Sequence, residues 1–391
     1  MVAKYSYGGM AVWLGGCASV VYGIIALGGY TRLSRSGLSM TSWRPQGSLP
    51  PRTQEEWEVE FERYKQYPEY QRANSHFELS DFQRIFWPEY LHRMAGRFLG
   101  VAFALPAAVF LARGKVPPFM KKHLGVLFGM GAAQGGVGWW MVKSGLDGEK
   151  HSHNDLPRVS PYRLAAHLAS AFAIYTYMLS LSMRLWHMRK PDAANVAKVP
   201  KRFKAMAHVA TALVGLTAFS GAFVAGNDAG RVYDEWPTMG GRMVPGDLVN
   251  EYIQPVWKNA FENSVMVQFF HRHLGESTAL ACFATALMAQ RVPSLKVQRA
   301  GKLLGAMGLV QMSLGIGTLL HGVPTSLACT HQAGAVALLS AGVYTMHAAR
   351  RPGPALKAVQ ALRTATPKVP PPMRPGMTVT QQAAELGIKP L

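Results

Sequence analysis

Eight stretches of roughly 20 apolar residues, the length a helix needs to cross about 30 Å of hydrocarbon, run along this chain. They lie at about 9–30, 87–111, 123–142, 162–185, 205–226, 264–290, 301–320 and 324–348. A chain of this pattern folds in lipid as helices, because each unpaired backbone N–H or C=O in hydrocarbon costs several kcal/mol. The composition agrees: 49% of residues are hydrophobic and only 16% charged, yet the formal charge is +20. A nucleic-acid binder carrying that much positive charge would be far more polar than the mean hydropathy of +0.05.

An even number of spans puts both termini on one side, and Lys and Arg collect in the loops of the cytoplasmic or matrix face. Lys4, the loops 113–122, 184–204 and 291–302, and the tail from 350 hold 23 of the 41 basic residues and 2 of the 21 acidic ones. The termini are therefore expected inside, and the charge is a topology signal that leaves nucleic acid without a role. The expected organisation is an all-α membrane protein of eight transmembrane helices in two pseudo-twofold-related four-helix bundles. An inner-side segment (1–8) precedes the first bundle (9–185), a basic linker (186–204) joins it to the second (205–348), and 349–391 reads as a disordered basic tail.

Only five charged residues remain inside the spans: Glu89, Arg93, Arg97, Arg272 and Glu276. Charge in hydrocarbon is costly unless it is paired or faces a polar cavity, which makes such residues functional candidates. The plainer alternative is that Glu89–Arg93 and Arg272–Glu276 are i,i+4 ion pairs that hold the helices together.

All five lie within five residues of His92 or His271, and these histidines belong to an internal repeat. Gly37 to Trp43 has the same glycine-to-tryptophan spacing as Gly230 to Trp236. His92-Arg93 matches His271-Arg272, Gln134 matches Gln311, and His167 matches His331. Each repeat has four spans, so the copies insert the same way up. The four histidines then fall at one depth, roughly 6 to 11 Å below the outer surface at 1.5 Å per residue. One histidine in a membrane helix is usually a packing residue, but two pairs at matched depth suit two haem irons, each held from both sides by imidazole.

Other chemistries have less to stand on. There is no HExxH motif, and Cys17, Cys282 and Cys329 lie in separate spans, so neither zinc nor a disulfide framework is indicated. Arg93, Arg97 and Arg272 are candidates for porphyrin propionates, since guanidinium binds carboxylate in a bidentate way. Glycines of the third span, Gly125 to Gly138, and the seventh, Gly301 to Gly317, make room for a flat macrocycle or simply allow close helix packing. His273, His208, His321, His151 and His153 are weaker ligand candidates. In the first outer loop, Thr53 and Glu56 form a capping box, and Trp57, Phe61 and Tyr64 share one face of a short amphipathic helix.

At this point the chain resembles the haem A synthase family, of the mitochondrial and alphaproteobacterial type. The resemblance rests on LGGYTRLSRSGLSMTSW from Leu27, PPRTQEEWE from Pro50, EYLHRMAGR from Glu89 and GWWMVKSGL from Gly138. It continues through PRVSPYRLAAHL from Pro157, SGAFVAGNDAG from Ser220, FENSVMVQFFHR from Phe261 and VPTSLACTHQ from Val323. The resemblance implies an oxidoreductase that converts one methyl group of haem O to a formyl group in two steps, making haem A for cytochrome c oxidase. It implies haem O between His92 and His167, a resident haem b between His271 and His331, and a catalytic Glu89. The implied partners are ferredoxin with its reductase, haem O synthase, membrane lipid and a second copy of the chain, in the mitochondrial inner membrane with termini on the matrix side. Residues 31–86 contain no cysteine, which excludes the thiol pair that some bacterial relatives carry there, and Glu276 and Phe270 depart from the family pattern. A di-haem cytochrome b that carries electrons from quinol is the alternative. It would use the same histidines without needing Glu89, whose counterpart in the second repeat is Gln268. A haem carrier, binding through one exposed histidine, is the third reading.

Overall fold

The computed structural model describes residues 5–147, 157–189 and 199–350. The expected basic tail beyond residue 350, residues 190–198 of the linker, and His151 and His153 lie outside the described residues. Among the described residues every named element is helical. All eight expected segments form long helices, and three short α-helices lie in the loops between them. In chain order these are α1 Tyr7–Leu33, α2 Gln54–Lys65, α3 Pro68–Ala73, α4 Leu79–Ala112, α5 Pro118–Leu146, α6 Pro161–Arg189, α7 Lys201–Gly226, α8 Asn259–Glu262, α9 Ser264–Gln290, α10 Leu295–Leu320 and α11 Thr325–Ala348. Five of the long helices (α1, α4, α6, α7 and α10) are long and apolar enough to cross a membrane. In α5, α9 and α11 the apolar run is diluted by glycine, glutamine and histidine, the residue types that line the candidate site.

Packing follows the repeat. In the first half α1 packs on α4 and α6, and α5 packs on α6. In the second half α7 packs on α9 and α11, and α10 packs on both of those. The halves meet through α6, α7, α1 and α11, around one apolar cluster that includes Leu14, Met120, Leu185, Val214, Leu304 and Val336. Polar bonds cross the same seam: Tyr22 Oη donates to the Ala333 carbonyl at 2.9 Å, Gln332 Nε2 donates to the Ile25 carbonyl at 3.0 Å, and Tyr175 and Ser340 share a 2.6 Å bond. At one end of it Asp228 takes an ion pair from Arg158 at 2.5 Å and another from Arg32 at 3.4 Å.

The halves differ in the packing of one helix pair. α9 and α10 lie in close contact, because Gly301, Gly305 and Gly308 accept Ala289, Ala286 and Cys282; a Cβ on Gly308 would come 2.9 Å from that of Cys282. The equivalent helices α4 and α5 touch only sparsely. Gly131, which corresponds to Gly308, and Gly100, which corresponds to Ala279, have nothing within 4 Å of an added Cβ.

α4 begins at Leu79, eight residues before the expected apolar boundary, because Asp81 and Arg84 interrupt the apolar run without breaking the helix. The extra turns project toward the loop that joins α1 to α4 and are covered by α2. Thr53 caps α2 by accepting from the Glu56 N–H at 3.2 Å, while Glu56 reaches back to the Arg52 N–H at 2.6 Å. Trp57, Phe61 and Tyr64 are buried against Phe82 and Phe86 with ring centres 5.0–6.4 Å apart. Each such ring contributes on the order of 1.5–3 kcal/mol of burial. The amphipathic helix thus lies on α4.

Beneath that layer Glu69, on α3, is buried and accepts from Tyr64 Oη at 3.0 Å. Burial pushes its carboxyl up to about 8, with the nearby charge of Glu89 adding to the rise. Below pH ~4.5 both folded and unfolded chains hold this proton. Between there and pH 8 only the folded chain does, so stability falls across that window as pH rises. Glu69→Gln removes the titration. It should leave the melting temperature unchanged at pH 5 and raise it at pH 8, by an amount equivalent to roughly 1–3 kcal/mol. A thermal melt series in detergent checks this, and equal slopes for the two proteins across the window would contradict it.

Candidate functional site

The four histidines come together in two pairs. His92 on α4 and His167 on α6 have ring centres 6.5 Å apart, and His271 on α9 and His331 on α11 have theirs 6.4 Å apart. Two imidazoles bonding one metal ion from opposite sides, each at about 2.0–2.1 Å, place their ring centres roughly 6 Å apart. Both pairs therefore have the spacing of a metal held between two rings. Among the described residues no group of three or more His, Cys, Asp or Glu converges, so a metal here would bring its other ligands with it, as a porphyrin does.

Each imidazole lies over a glycine of the neighbouring helix. A Cβ on Gly28 would sit 2.7 Å from His92 Cε1, on Gly138 2.9 Å from His167 Cε1, on Gly221 3.3 Å from His271 Cε1, and on Gly315 2.9 Å from His331 Cε1. No side chain fits at these positions without moving the ring, so the glycines set the separation of each pair.

Three of the four rings are also held through Nδ1. Ser220 Oγ lies 2.7 Å from His271 Nδ1 and gives its own hydrogen to the Thr217 carbonyl at 2.8 Å. It must therefore accept from Nδ1–H, which leaves the lone pair on Nε2 for a metal. Gln134 lies 3.2 Å from His167 Nδ1 and donates to the His167 carbonyl, with Ser170 Oγ bonded to its own amide oxygen. Gln311 repeats this at His331, at 3.1 Å and 2.8 Å. An acceptor such as Ser220 orients a histidine ligand and raises its basicity, whereas the glutamine amide nitrogens can only donate and fix the position of their rings. His92 Nδ1 is buried with no hydrogen-bond partner.

The charged residues clamp the loops that precede α4 and α9, and they too follow the repeat. Arg93 donates to the carbonyls of Met40 and Ser42 at 2.8 and 2.9 Å, and Arg272 donates to the equivalent carbonyls of Tyr233 and Glu235 at 3.0 and 2.8 Å. Arg97 reaches Arg44, Pro45 and Arg93 carbonyls. Together with Ser42, Gly47 and Met94, the two arginines Arg93 and Arg97 line a small cleft.

Glu89 is buried and fully engaged. It pairs with Arg93 at 2.6 Å and accepts from Ser39 Oγ at 2.7 Å and the Met40 N–H at 2.8 Å. The expected i,i+4 pair thus forms in the first half. In the second half Gln268 replaces the carboxylate, and its amide donates to the Tyr233 carbonyl at 2.9 Å. The expected Arg272–Glu276 pair is not formed, because Glu276 turns to accept from Trp236 Nε1 at 3.2 Å. Phe270 is exposed, and His208, His273 and His321 each bond a carbonyl one turn back in their own helix.

Sequence reasoning missed Gly28, Gly221, Ser220 and Ser170. Gly28 and Gly221 do occupy matching positions in the two repeats, which was the available signal.

Comparison with known proteins agrees with this geometry. Residues 11–343 match the COX15-CtaA family, described as a cytochrome oxidase assembly protein. The chain is 46% identical over 352 residues to the haem A synthase COX15 of Arabidopsis thaliana, covering 89% of this chain and 76% of that protein. It is 45% identical over 343 residues to haem A synthase COX15 of Homo sapiens, covering 87% and 82%. With haem A synthase of Paracoccus denitrificans the identity is 40% over 354 residues, covering 89% and 90%. The chain therefore belongs to the COX15-CtaA family of cytochrome oxidase assembly proteins.

Proposed function

We propose that this protein is a haem A synthase, an oxidoreductase that converts a methyl group of haem O to a formyl group for cytochrome c oxidase. The observation that carries this reading is the repeat itself: two histidine pairs at metal-bridging separation, each ring seated on a glycine, with a carboxylate beside only one pair. A pure electron carrier has no use for that difference.

In this reading all eight long helices span the mitochondrial inner membrane as two four-helix bundles, with both termini in the matrix. His271 and His331 hold a resident haem b, and His92 and His167 hold the substrate porphyrin. The contrast in packing supports the assignment. A resident group suits the half in which α9 and α10 are closed on each other, while a substrate that must enter and leave suits the half in which α4 and α5 stand apart.

When bound, the two porphyrins supply the redox-active irons and the methyl group to be oxidised. The chain's own residues would position them: the glycines fix the ring separation, Ser220, Gln134 and Gln311 fix the imidazoles, and Arg93 and Arg97, which line a small cleft, would pair with propionates. Glu89, one helical turn before His92, is the acidic side chain available to hold or pass on a proton, with Ser39 and Arg93 fixing its carboxylate. Electrons reach or leave the pair of sites through ferredoxin and its reductase. Haem O synthase, membrane lipid and a second copy of the chain complete the expected contacts.

Chromatographic identification of the haems extracted from purified protein tests the proposal. Haem b together with haem O, its alcohol or haem A is the expected result. Two haem b per chain and nothing else would instead indicate the di-haem electron carrier.

A further inference from the structure

We propose that Gln332 is a positioning residue that ties the two histidine pairs together: from the position next to His331 it grips the turn of α1 on which His92 rests. The inference rests on the haem-binding reading above and concerns how the two sites are held relative to each other.

The contact is built on one turn of α1. His92 lies over Gly28, and the next residue, Gly29, lies against Gln332: a Cβ there would fall on the Gln332 amide oxygen and 2.5 Å from its Cδ. Gln332 Nε2 donates to the Ile25 carbonyl at 3.0 Å. Ile25 and Gly29 stand one above the other at i,i+4, so the amide lies along a single turn whose adjoining residue carries His92. One residue further along α11, the Ala333 carbonyl accepts from Tyr22 Oη at 2.9 Å, which anchors the preceding turn of α1. Gln332 follows His331 directly in the chain. The route from one pair to the other therefore runs from His92 through Gly28 and Gly29 to Gln332 and His331, and all of it is helix.

The repeat places the same crosswise contact on the other side of the seam. Leu168 follows His167 as Gln332 follows His331, and Ala222 follows Gly221 as Gly29 follows Gly28. Leu168 packs against the apolar cluster that contains Ala222. That contact is non-directional, whereas the bond from Gln332 fixes the register of α1 against α11. An amide in an apolar seam keeps such a bond because leaving it unmade is costly. The spacing of the two pairs is thereby fixed, and electron exchange between two bound haems depends steeply on that spacing.

Electron paramagnetic resonance of the ferric full-length protein, with haem b bound at both pairs, tests this without requiring turnover, because the low-spin signal of a bis-histidine haem follows the orientation of its two rings. His92→Ala and His271→Ala assign the two signals. Gln332→Met keeps the length of the side chain but cannot donate to Ile25. It should shift both signals and both midpoint potentials, whereas Gln134→Leu should shift only the first and Gln311→Leu only the second. Gly29→Ala, which pushes on Gln332 from the α1 side, should reproduce the double shift. In Gly29→Ala/Gln332→Ala the shift should be no larger than in Gln332→Ala alone, since the shorter side chain leaves room for the added methyl. A Gln332→Met protein in which only the His271–His331 signal moves would make Gln332 a neighbour of His331 and nothing more, and would overturn the inference, as would no shift in either signal. Gln332→Met is close to the parent in volume, so the test stands even if Gly29→Ala fails to fold. A protein that takes up no haem at either pair would overturn the haem-binding reading and this inference with it. Linked signals in a protein that never makes haem A would refute the synthase reading and leave this one standing.

Discussion

Gly315→Leu is expected to strip the second half of its haem, lowering haem per chain at that site at least 10-fold in a pyridine haemochrome assay, while the chain still folds. The cause is steric. A Cβ at residue 315 already falls 2.9 Å from His331 Cε1, well inside van der Waals contact, and leucine adds three more carbons on the same side. The ring must move by an ångström or more, and a metal site displaced that far from its ligand geometry loses its metal. The fold should survive because helix propensity improves when glycine is replaced by leucine. Gly317→Ala is the control. An added Cβ there meets nothing within 4 Å, so haem content should stay at the parent level. Full haem retention in Gly315→Leu would mean that His331 does not bind iron in the conformation described here.

This result would separate what the sequence could announce from what it could not. The two histidine pairs were legible because the chain repeats: His92 with His271 and His167 with His331 recur beside the same arginine or the same helix pattern. The role of Gly138 and Gly315 was only half legible. Each stands in a helix with several other glycines, and periodicity cannot tell Gly315, packed under an imidazole, from Gly317, which faces open space. Gly28 and Gly221 were harder still, since what makes them necessary is a ring arriving from another helix.

The arginines show a different limit. Charge inside an apolar span was a sound reason to single them out, but Arg93 and Arg272 turn most of their donors to loop carbonyls at residues 40–42 and 233–238. Those carbonyls lack strand or helix partners and need donors, a demand that cannot be read from sequence before the loop path is known. The start of α4 shows the same limit. A membrane-length criterion stops at the first charged residues, whereas the helix continues through Asp81 and Arg84 because α2 covers its other face.

Glu89→Gln should lower haem A formation about 100-fold or more while leaving haem b content within error of the parent. Loss of a positioned acid–base group commonly costs 10²–10⁴ in rate. The replacement is chosen because the second half already contains it. Gln268 occupies the equivalent position and still accepts from its arginine, at 3.3 Å, while donating to the Tyr233 carbonyl. Glutamine can therefore be housed there, although its NH₂ accepts from neither the Met40 N–H nor Ser39 Oγ, of which only Ser39 has another acceptor, the Ser36 carbonyl. One lost bond to a buried donor costs about 1–3 kcal/mol, a lowering of melting temperature that the whole protein can absorb. Glu89→Ala is a poorer probe, because it leaves the Arg93 guanidinium buried without its counter-charge at a cost of about 3–5 kcal/mol, and loss of activity could then reflect loss of the loop. A structural role alone predicts that Glu89→Gln loses activity only in proportion to its melting temperature. A role in the reaction predicts intact haem b, a modest thermal shift and accumulation of haem O or its alcohol. Normal haem A production by a folded Glu89→Gln protein would remove Glu89 from the reaction and return it to the loop clamp.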